Sequence, residues 1–379
     1  MKPLKKKHYD LYGTEAKCEA FTPSVITLLG THTDYAGGST LNLTLKDGVT
    51  GVSSPRTDRV ISLFFIAFDQ APFTLDLEHL DKEEEQAHHT MLIGLIKKLV
   101  HEGYDVSRGM DITLRSDIKK ESDTGFSSAV LMTILRLLLK QNDLDLNDEK
   151  KARYLSHVQR EPFGVLATIT EPLSMLKSKP LSILYINQKE GKNSPVDFDF
   201  DMYSLLVVDS NRAPELSMNT IIKRMEQVKK GYDAINAKRS IDTLCNLDSD
   251  TFNQLKMLID SSPLIKKRVE HVVFENDRTE QALEVISKNE YYLLGDLFTQ
   301  SHTSLKELME VSCEELDYIA SNLVKKGALG AKMTGIGFGG SVVALFENDA
   351  LPSEIHMNDF TKRYNKRFHK TLSIKTIKK

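Results

Sequence analysis

Residues 122–128 read Ser-Asp-Thr-Gly-Phe-Ser-Ser and run straight into AVLMTILRLLLK, which is apolar on almost every side. A helix of that composition has no solvent face, so the fold must bury it. Its first turn emerges from a Gly/Ser loop, where unpaired N–H groups and the positive end of the dipole make a natural anion site. The same residues equally describe a Ser-capped core helix with no ligand. Taken alone, the stretch leaves both readings open.

The chain has 379 residues, long for one core and ordinary for two domains. With 40% hydrophobic and 27% charged residues it reads as a globular protein. A net charge of −3 gives no general attraction to nucleic acid or acidic membranes, so neither is expected as a partner. Cys18, Cys245 and Cys313 have no metal-ligand spacing and fit reduced thiols in a cytoplasm. No apolar run follows the first basic residues, so no signal peptide is expected, and no stretch reaches the length of a membrane span. A soluble, cytoplasmic protein is the expectation. Lys2, Lys5, Lys6 and Lys7 at one end, and Lys375, Lys378 and Lys379 at the other, read as solvated tails.

Strands are expected over residues 25–29, 39–45, 49–54 and 60–67, and helices over 83–101, 129–140 and 151–158. Further strands are expected at 111–117, 182–187 and 205–209, with a turn over 191–195. Helical patterns then fill 217–237, 250–258, 264–288, 291–309 and 314–326, before a strand at 341–347 and part of a last helix at 359–364. β-rich sequence followed by helices argues for an α+β layer fold rather than a repeating βαβ one. The composition places the domain division near 188–204, giving domains of 1–195 and 196–379.

Two polar, glycine-bearing stretches interrupt this pattern. Gly335-Ile336-Gly337-Phe338-Gly339-Gly340 lacks the spacing of a dinucleotide fingerprint and precedes a strand where that motif needs a helix. So many glycines mean a backbone that turns sharply or approaches something closely, which favours a ligand-facing loop over a plain tight turn. His32 and Asp34 flank Thr33 in a turn bounded by Gly30 and Gly37. Such a pair serves turn geometry, or it recognises hydroxyl groups.

Together these stretches resemble a known family. GTHTDYAGG resembles the GEHTDYNGG signature of galactokinases, and TGFSSA resembles the phosphate loop GLSSSA of the GHMP kinase superfamily. GAKMTGIGFGGS is similar to the third signature, GARMTGGGFGGC. Arg268 to Val273 with Glu275 and Arg278, the run from Ser301 to Leu305, and the run from Val311 to Asp317 extend the likeness. It covers roughly residues 18–345 in the family's order. The resemblance implies a GHMP kinase two-domain α+β fold, with an S5-like amino-terminal domain, a ferredoxin-like carboxy-terminal domain and ligands between them. It also implies transfer of the ATP γ-phosphate to O1 of galactose, with Mg²⁺ as cofactor.

Carried over residue by residue, the resemblance implies sugar contacts at Thr31, His32 and Asp34, with Thr31 standing where the family has glutamate. Nucleotide contacts are implied at Asp123, Gly125, Phe126, Ser127, Ser128, Gly337 and Gly339. The arginine before the first signature falls on Val25, which cannot stabilise a transferring phosphoryl group. The pattern ENxFVGxxCGIMDQ aligns with residues 159–172, anchored by Glu161 and Gly164. On that register the first metal-ligating glutamate is Gln159, and the catalytic aspartate is Glu171, one methylene longer and followed by Pro172. A second metal position, the third serine of the phosphate loop, is Ala129. A sugar-flanking tyrosine would fall near Thr220 and Ile221, and neither is one. The expectation is a galactokinase-like protein with lost or very weak phosphotransfer that still binds sugar or nucleotide. The alternative is an active sugar kinase using Glu171 as base, with Asp123 as a replacement metal ligand.

Overall fold

The computed structural model describes residues 3–66, 68–80, 87–160, 168–213, 218–259 and 262–378. In chain order its elements begin with α1 (Pro3–Tyr12), β1 (Cys18–Leu29), β2 (Ser39–Pro55), β3 (Val60–Phe65), β4 (Phe73–Asp76), α2 (Ala87–His101) and β5 (Met110–Ser116). The chain continues through α3 (Phe126–Gln141), α4 (Asp148–Arg160), α5 (Thr170–Lys177), β6 (Ile183–Asn187), β7 (Lys192–Val196) and β8 (Tyr203–Asp209). The helices α6 (Met218–Asn236), α7 (Ser249–Leu255), α8 (Pro263–Ser287), α9 (Tyr291–Ser304) and α10 (Glu314–Lys325) follow. It closes with β9 (Gly330–Met333), β10 (Ser341–Glu347), α11 (Glu354–Phe368) and β11 (Ser373–Ile377). No helix among the described residues is long and apolar enough to cross a membrane.

The chain divides into two compact units that interleave in sequence. The first holds Met1–Ser24, Leu45–Lys119 and Gly125–Lys177, and the second Val25–Thr44, Lys120–Thr124 and Ser178–Lys379. These bounds differ from the single cut expected between 195 and 196, because β1 and β2 each begin in one unit and end in the other. In the first unit β5 pairs antiparallel with the later half of β2 and parallel with β3, which β4 flanks. The apolar faces of these strands meet α2, α3 and α4, and Leu131, Leu135 and Leu138 of α3 lie in the core with Leu95, Ile112 and Leu155. α3 is buried along most of its length, as its composition requires.

The second unit carries the antiparallel sheet β11-β8-β10-β9, with the turn after α9, together with α10 and α11, supplying Leu305, Leu316, Phe360 and Tyr364 to its core. A second cluster joins Val228 of α6, Phe252 of α7 and Val269, Val272 and Val273 of α8. The start of β2, at Ser39–Leu43, pairs with β6, and β6 pairs with β7.

Several expectations are corrected. The strands expected at 39–45 and 49–54 are one strand, because Gly48 marks a close approach rather than a break. An added Cβ there would collide with the Thr22 carbonyl and the Phe21 ring. Residues 192–196 form β7 instead of a turn; the reversal lies at Gly191, and Pro195 is tolerated on a strand at the end of the sheet order. The 291–309 helix ends at Ser304 and passes into a π-turn at Leu305–Met309. Among the described residues the lysine-rich ends are not solvated tails. α1 buries Leu4 and His8, and β11 pairs with β8 through residues 373–377. The helix break expected at Pro162 lies outside the described residues.

His8 shows why α1 holds to the first unit. Its Nδ1 lies 2.9 Å from Thr113 Oγ1 and its Nε2 2.9 Å from Ser54 Oγ, and burial lowers its pKa. Removing the ring leaves a buried threonine hydroxyl without that partner. His8→Ala is expected to cost about 1–3 kcal/mol, measured as a lowered urea midpoint at unchanged slope.

Candidate functional site

In the first unit, Gly125 precedes α3 in the left-handed region, at φ 78°, and glycine is what that conformation favours. Phe126 is buried and stacks on Phe65, while Ser127 is exposed. Ser128 is buried, and its Oγ accepts a 2.9 Å hydrogen bond from Gln159 Nε2 near the end of α4. Ala129 is 0% exposed. Glu171 lies in the first turn of α5, where a carboxylate suits the helix dipole. A Cβ added at Gly125 would sit 3.3 Å from Glu171 Oε1, so this carboxylate flanks the loop rather than standing off in solvent. Gly125, Ser128, Gln159 and Glu171 are thus brought together by the packing of α3, α4 and α5. The alignment anchors Glu161 and Gly164 lie outside the described residues.

In the second unit, Val25 is 3% exposed within β1, an apolar side chain inside an apolar layer. Beyond the strand, Gly30 to Gly38 make the signature turn. Thr33 Oγ1 donates to the Gly30 and Ser39 carbonyls at 2.8 and 2.9 Å, which closes the turn on itself. His32 adopts φ 66°, is buried, and donates from Nε2 to the Ile336 carbonyl at 3.1 Å. Asp34 accepts from the Tyr35 N–H at 3.0 Å, and Gln188 Nε2 donates to the Asp34 carbonyl at 2.6 Å. Where the resemblance implies a tyrosine, Ile221 of α6 is buried and Thr220 half-buried.

A charged network lies behind this turn. Glu275 of α8 is 0% exposed; its Oε1 accepts from the Gly30 N–H at 3.1 Å and Ser301 Oγ at 2.7 Å, and its Oε2 accepts from Arg278 Nε at 2.8 Å. Burial alone would raise its pKa, but Arg278 above all, with Lys332 and the Ser301 hydroxyl, holds it below the usual range. His271 donates from Nε2 to the Thr31 carbonyl at 3.0 Å, leaving Nδ1 to accept from Ser304 Oγ at 2.8 Å. Burial pushes the His271 pKa down to about 3 and lowers that of His32, so both rings are neutral. Lys332 of β9, also 0% exposed, reaches Thr31 Oγ1 at 3.2 Å and the Met333 carbonyl at 2.7 Å. Sequence reasoning matched Glu275 and Arg278 to the family without giving them work. Their signal was there: charged residues on the apolar stripe of a long helix are paired or costly.

The glycine loop has largely structural reasons for its glycines. A Cβ at Gly337 would strike the Val311 carbonyl, and one at Gly339 would meet the Arg212 carbonyl 2.5 Å away. Phe338 N–H donates to Val311 and Gly340 N–H to Arg212, at 2.7 and 3.0 Å, so the loop is threaded between two stretches of backbone. Asp123, also in this unit, bonds to the loop through its carboxylate.

Lys332 offers a test of this network. Burial, first of all, pushes its pKa down to about 8, with Glu275 opposing and Arg278 reinforcing the shift. An unfolded lysine titrates near 10.5, so above pH 8 the unfolded state binds more protons and stability rises with pH. Lys332→Met lacks that rise. Between pH 7.5 and 9.5 the wild type should gain about 1–2 kcal/mol over the variant in urea unfolding.

Comparison with known proteins converges on one family. A model described as the galactokinase galactose-binding signature matches residues 6–55, which include the turn from Gly30 to Gly38. A second, GHMP kinases C terminal, matches residues 282–356, which include β9, the glycine loop and β10. The galactokinase of Clostridium tetani is 30% identical over 96% of this chain and 92% of its own. That of Streptococcus thermophilus is 30% identical over 97% and 94%. In structure, Lactococcus lactis galactokinase complexed with galactose superposes with a TM-score of 0.91 at 24% identity, covering 98% of this chain and 96% of that one. The mevalonate kinase of Methanococcus jannaschii, at TM-score 0.64 and 20% identity over 95% and 97%, has the same general fold. The chain therefore has the two-domain α+β fold of the GHMP kinases, and it belongs to the galactokinase family.

Proposed function

We propose that this protein is a galactokinase-family member whose phosphotransfer is lost or very weak, and which keeps a sugar- or nucleotide-binding role. The observation that carries the reading is the pair Ala129 and Gln159. Magnesium takes hard oxygen ligands, chiefly carboxylates and phosphates. At one implied ligand position stands a buried methyl group. At the other stands a neutral amide that donates its N–H to Ser128 Oγ. Those two residues do not fit the metal. Val25 adds to this, because an apolar side chain buried in β1 offers no positive charge to a transferring phosphoryl group. The sugar-side turn, by contrast, keeps His32 and Asp34, with Glu275, His271 and Lys332 beneath it.

One observation favours the alternative, an active sugar kinase with Glu171 as base. Its carboxylate flanks Gly125 at the mouth of the phosphate-loop helix, so a proton acceptor is present there. Steady-state turnover separates the two. With saturating ATP, Mg²⁺ and galactose, or any of a panel of small sugars, the expected rate is far below about 1 s⁻¹. Turnover at or above that rate overturns the proposal. Binding is read independently by thermal shift, where a sugar or nucleotide at 100 times its Kd stabilises the fold by about 2.7 kcal/mol. No shift with ATP, ADP or any sugar removes the residual binding role.

The donor set can also be rebuilt. The double variant Ala129→Ser with Gln159→Glu restores two oxygen ligands while leaving Ser128 a partner. It is expected to tighten ATP binding in Mg²⁺ over that in EDTA by about tenfold relative to the wild type, measured by calorimetry.

A further inference from the structure

Asp123 stands where the family resemblance places a glycine, and it keeps a glycine-like backbone, at φ 54°. Aspartate tolerates this region better than most residues because its short polar side chain bonds locally. Here the side chain reaches across to the glycine loop. Its Oδ2 accepts from the Ile336 N–H at 2.7 Å and the Gly337 N–H at 3.3 Å. Gly335 and Gly340 leave the space: a Cβ on Gly335 would overlap the Asp123 carboxylate, and one on Gly340 would overlap the Asp123 Cβ. The adjoining Ser122 carbonyl accepts from Ser341 Oγ at 2.7 Å, so the whole segment is clamped along the loop and the first residue of β10.

Successive N–H groups that converge on one oxygen, flanked by Gly335 and Gly337 at φ 75° and 97°, form the concavity in which proteins hold oxyanions. In this chain the oxyanion is its own. We propose that Asp123 is a resident occupant of an anion seat in the glycine loop, and that it sets which ligands the loop admits. An incoming phosphate oxygen must displace a charge-assisted pair of hydrogen bonds and then lie beside a carboxylate. An uncharged polyol meets no such repulsion. The residue therefore acts on ligand charge, as a specificity determinant. The inference rests on contacts within the second unit alone and stands whether or not phosphotransfer survives.

The test uses inorganic tripolyphosphate in EDTA, so that neither metal nor sugar enters. Affinity is measured by calorimetry, and the Ile336 and Gly337 amide resonances are followed in the same titration. Asp123→Gly removes occupant and charge and suits the backbone; Asp123→Asn keeps an acceptor but removes the charge. Asp123→Gly is expected to bind at least about tenfold more tightly than the wild type, with both amides shifting. Asp123→Asn should fall between them. Equal affinity in wild type and Asp123→Gly overturns the proposal. So does tighter binding that leaves both amides unmoved, or wild-type binding that already moves them. Should Asp123→Gly fail to fold, Asp123→Asn decides: a gain of about threefold or more with amide shifts supports the proposal, and no gain overturns it.

Discussion

The carboxylate of Glu275 is the interaction on which the second unit depends. It sits fully buried on α8, between the N–H of Gly30 at the end of β1 and the hydroxyl of Ser301 on α9, with Arg278 as its counter-ion. A buried carboxylate without partners would carry a large desolvation cost, and one with partners on several elements fixes how those elements meet. The signature turn is thus held from below by charge. His271 and Lys332 extend that hold to the carbonyl and hydroxyl of Thr31. The ring of His32 in the turn and that of His271 beneath it are kept neutral, so the network's charges reduce to one carboxylate set among an arginine and a lysine.

The signature residues are of two kinds. Gly337 and Gly339 answer to the carbonyls of Val311 and Arg212, and Gly335 and Gly340 answer to Asp123. These positions resist substitution for reasons of space, whatever ligand the loop meets. Val25, Ala129 and Gln159 are another matter, since no backbone approach forces their identity. A chain can therefore keep the glycines that its packing requires while other signature positions are free to change.

Much of this was legible beforehand because local rules and the fold agree. α3 is apolar all round and is buried; β8, β10 and most of the long helices lie within a few residues of their expected bounds. Legibility failed where a residue's meaning lies in a distant partner. Residues 39–45 and 49–54 read as two strands until the Thr22 carbonyl is seen against Gly48. The lysines of α1 and β11 read as tails, because one buried Leu4, one bridging His8 and a single strand pairing carry no strong periodic signal. In the candidate site, the residues on the turn and loop were named from their motifs. The supporting set on α8, α9 and β9 was not, since its roles appear only once Glu275 and Gly30 are neighbours. Asp123 was named as a nucleotide contact or a replacement metal ligand, and nothing in its motif told that its carboxylate accepts from the Ile336 N–H.

The pairing of β8 has a consequence for how the chain is made. Its neighbours in the sheet are β10 and β11, which follow it only after five helices and the glycine loop have been synthesised. The first unit, complete by Lys177, can reach its native contacts while the ribosome is still working. The second must hold a strand with two open edges, and the early segment Val25–Thr44, until the last residues emerge. Such non-local pairing is slow to form, and unpaired edges invite association with other chains. During synthesis, exposure to chaperones and to aggregation therefore falls mainly on β8, and truncation near the carboxy terminus is felt throughout the sheet it completes.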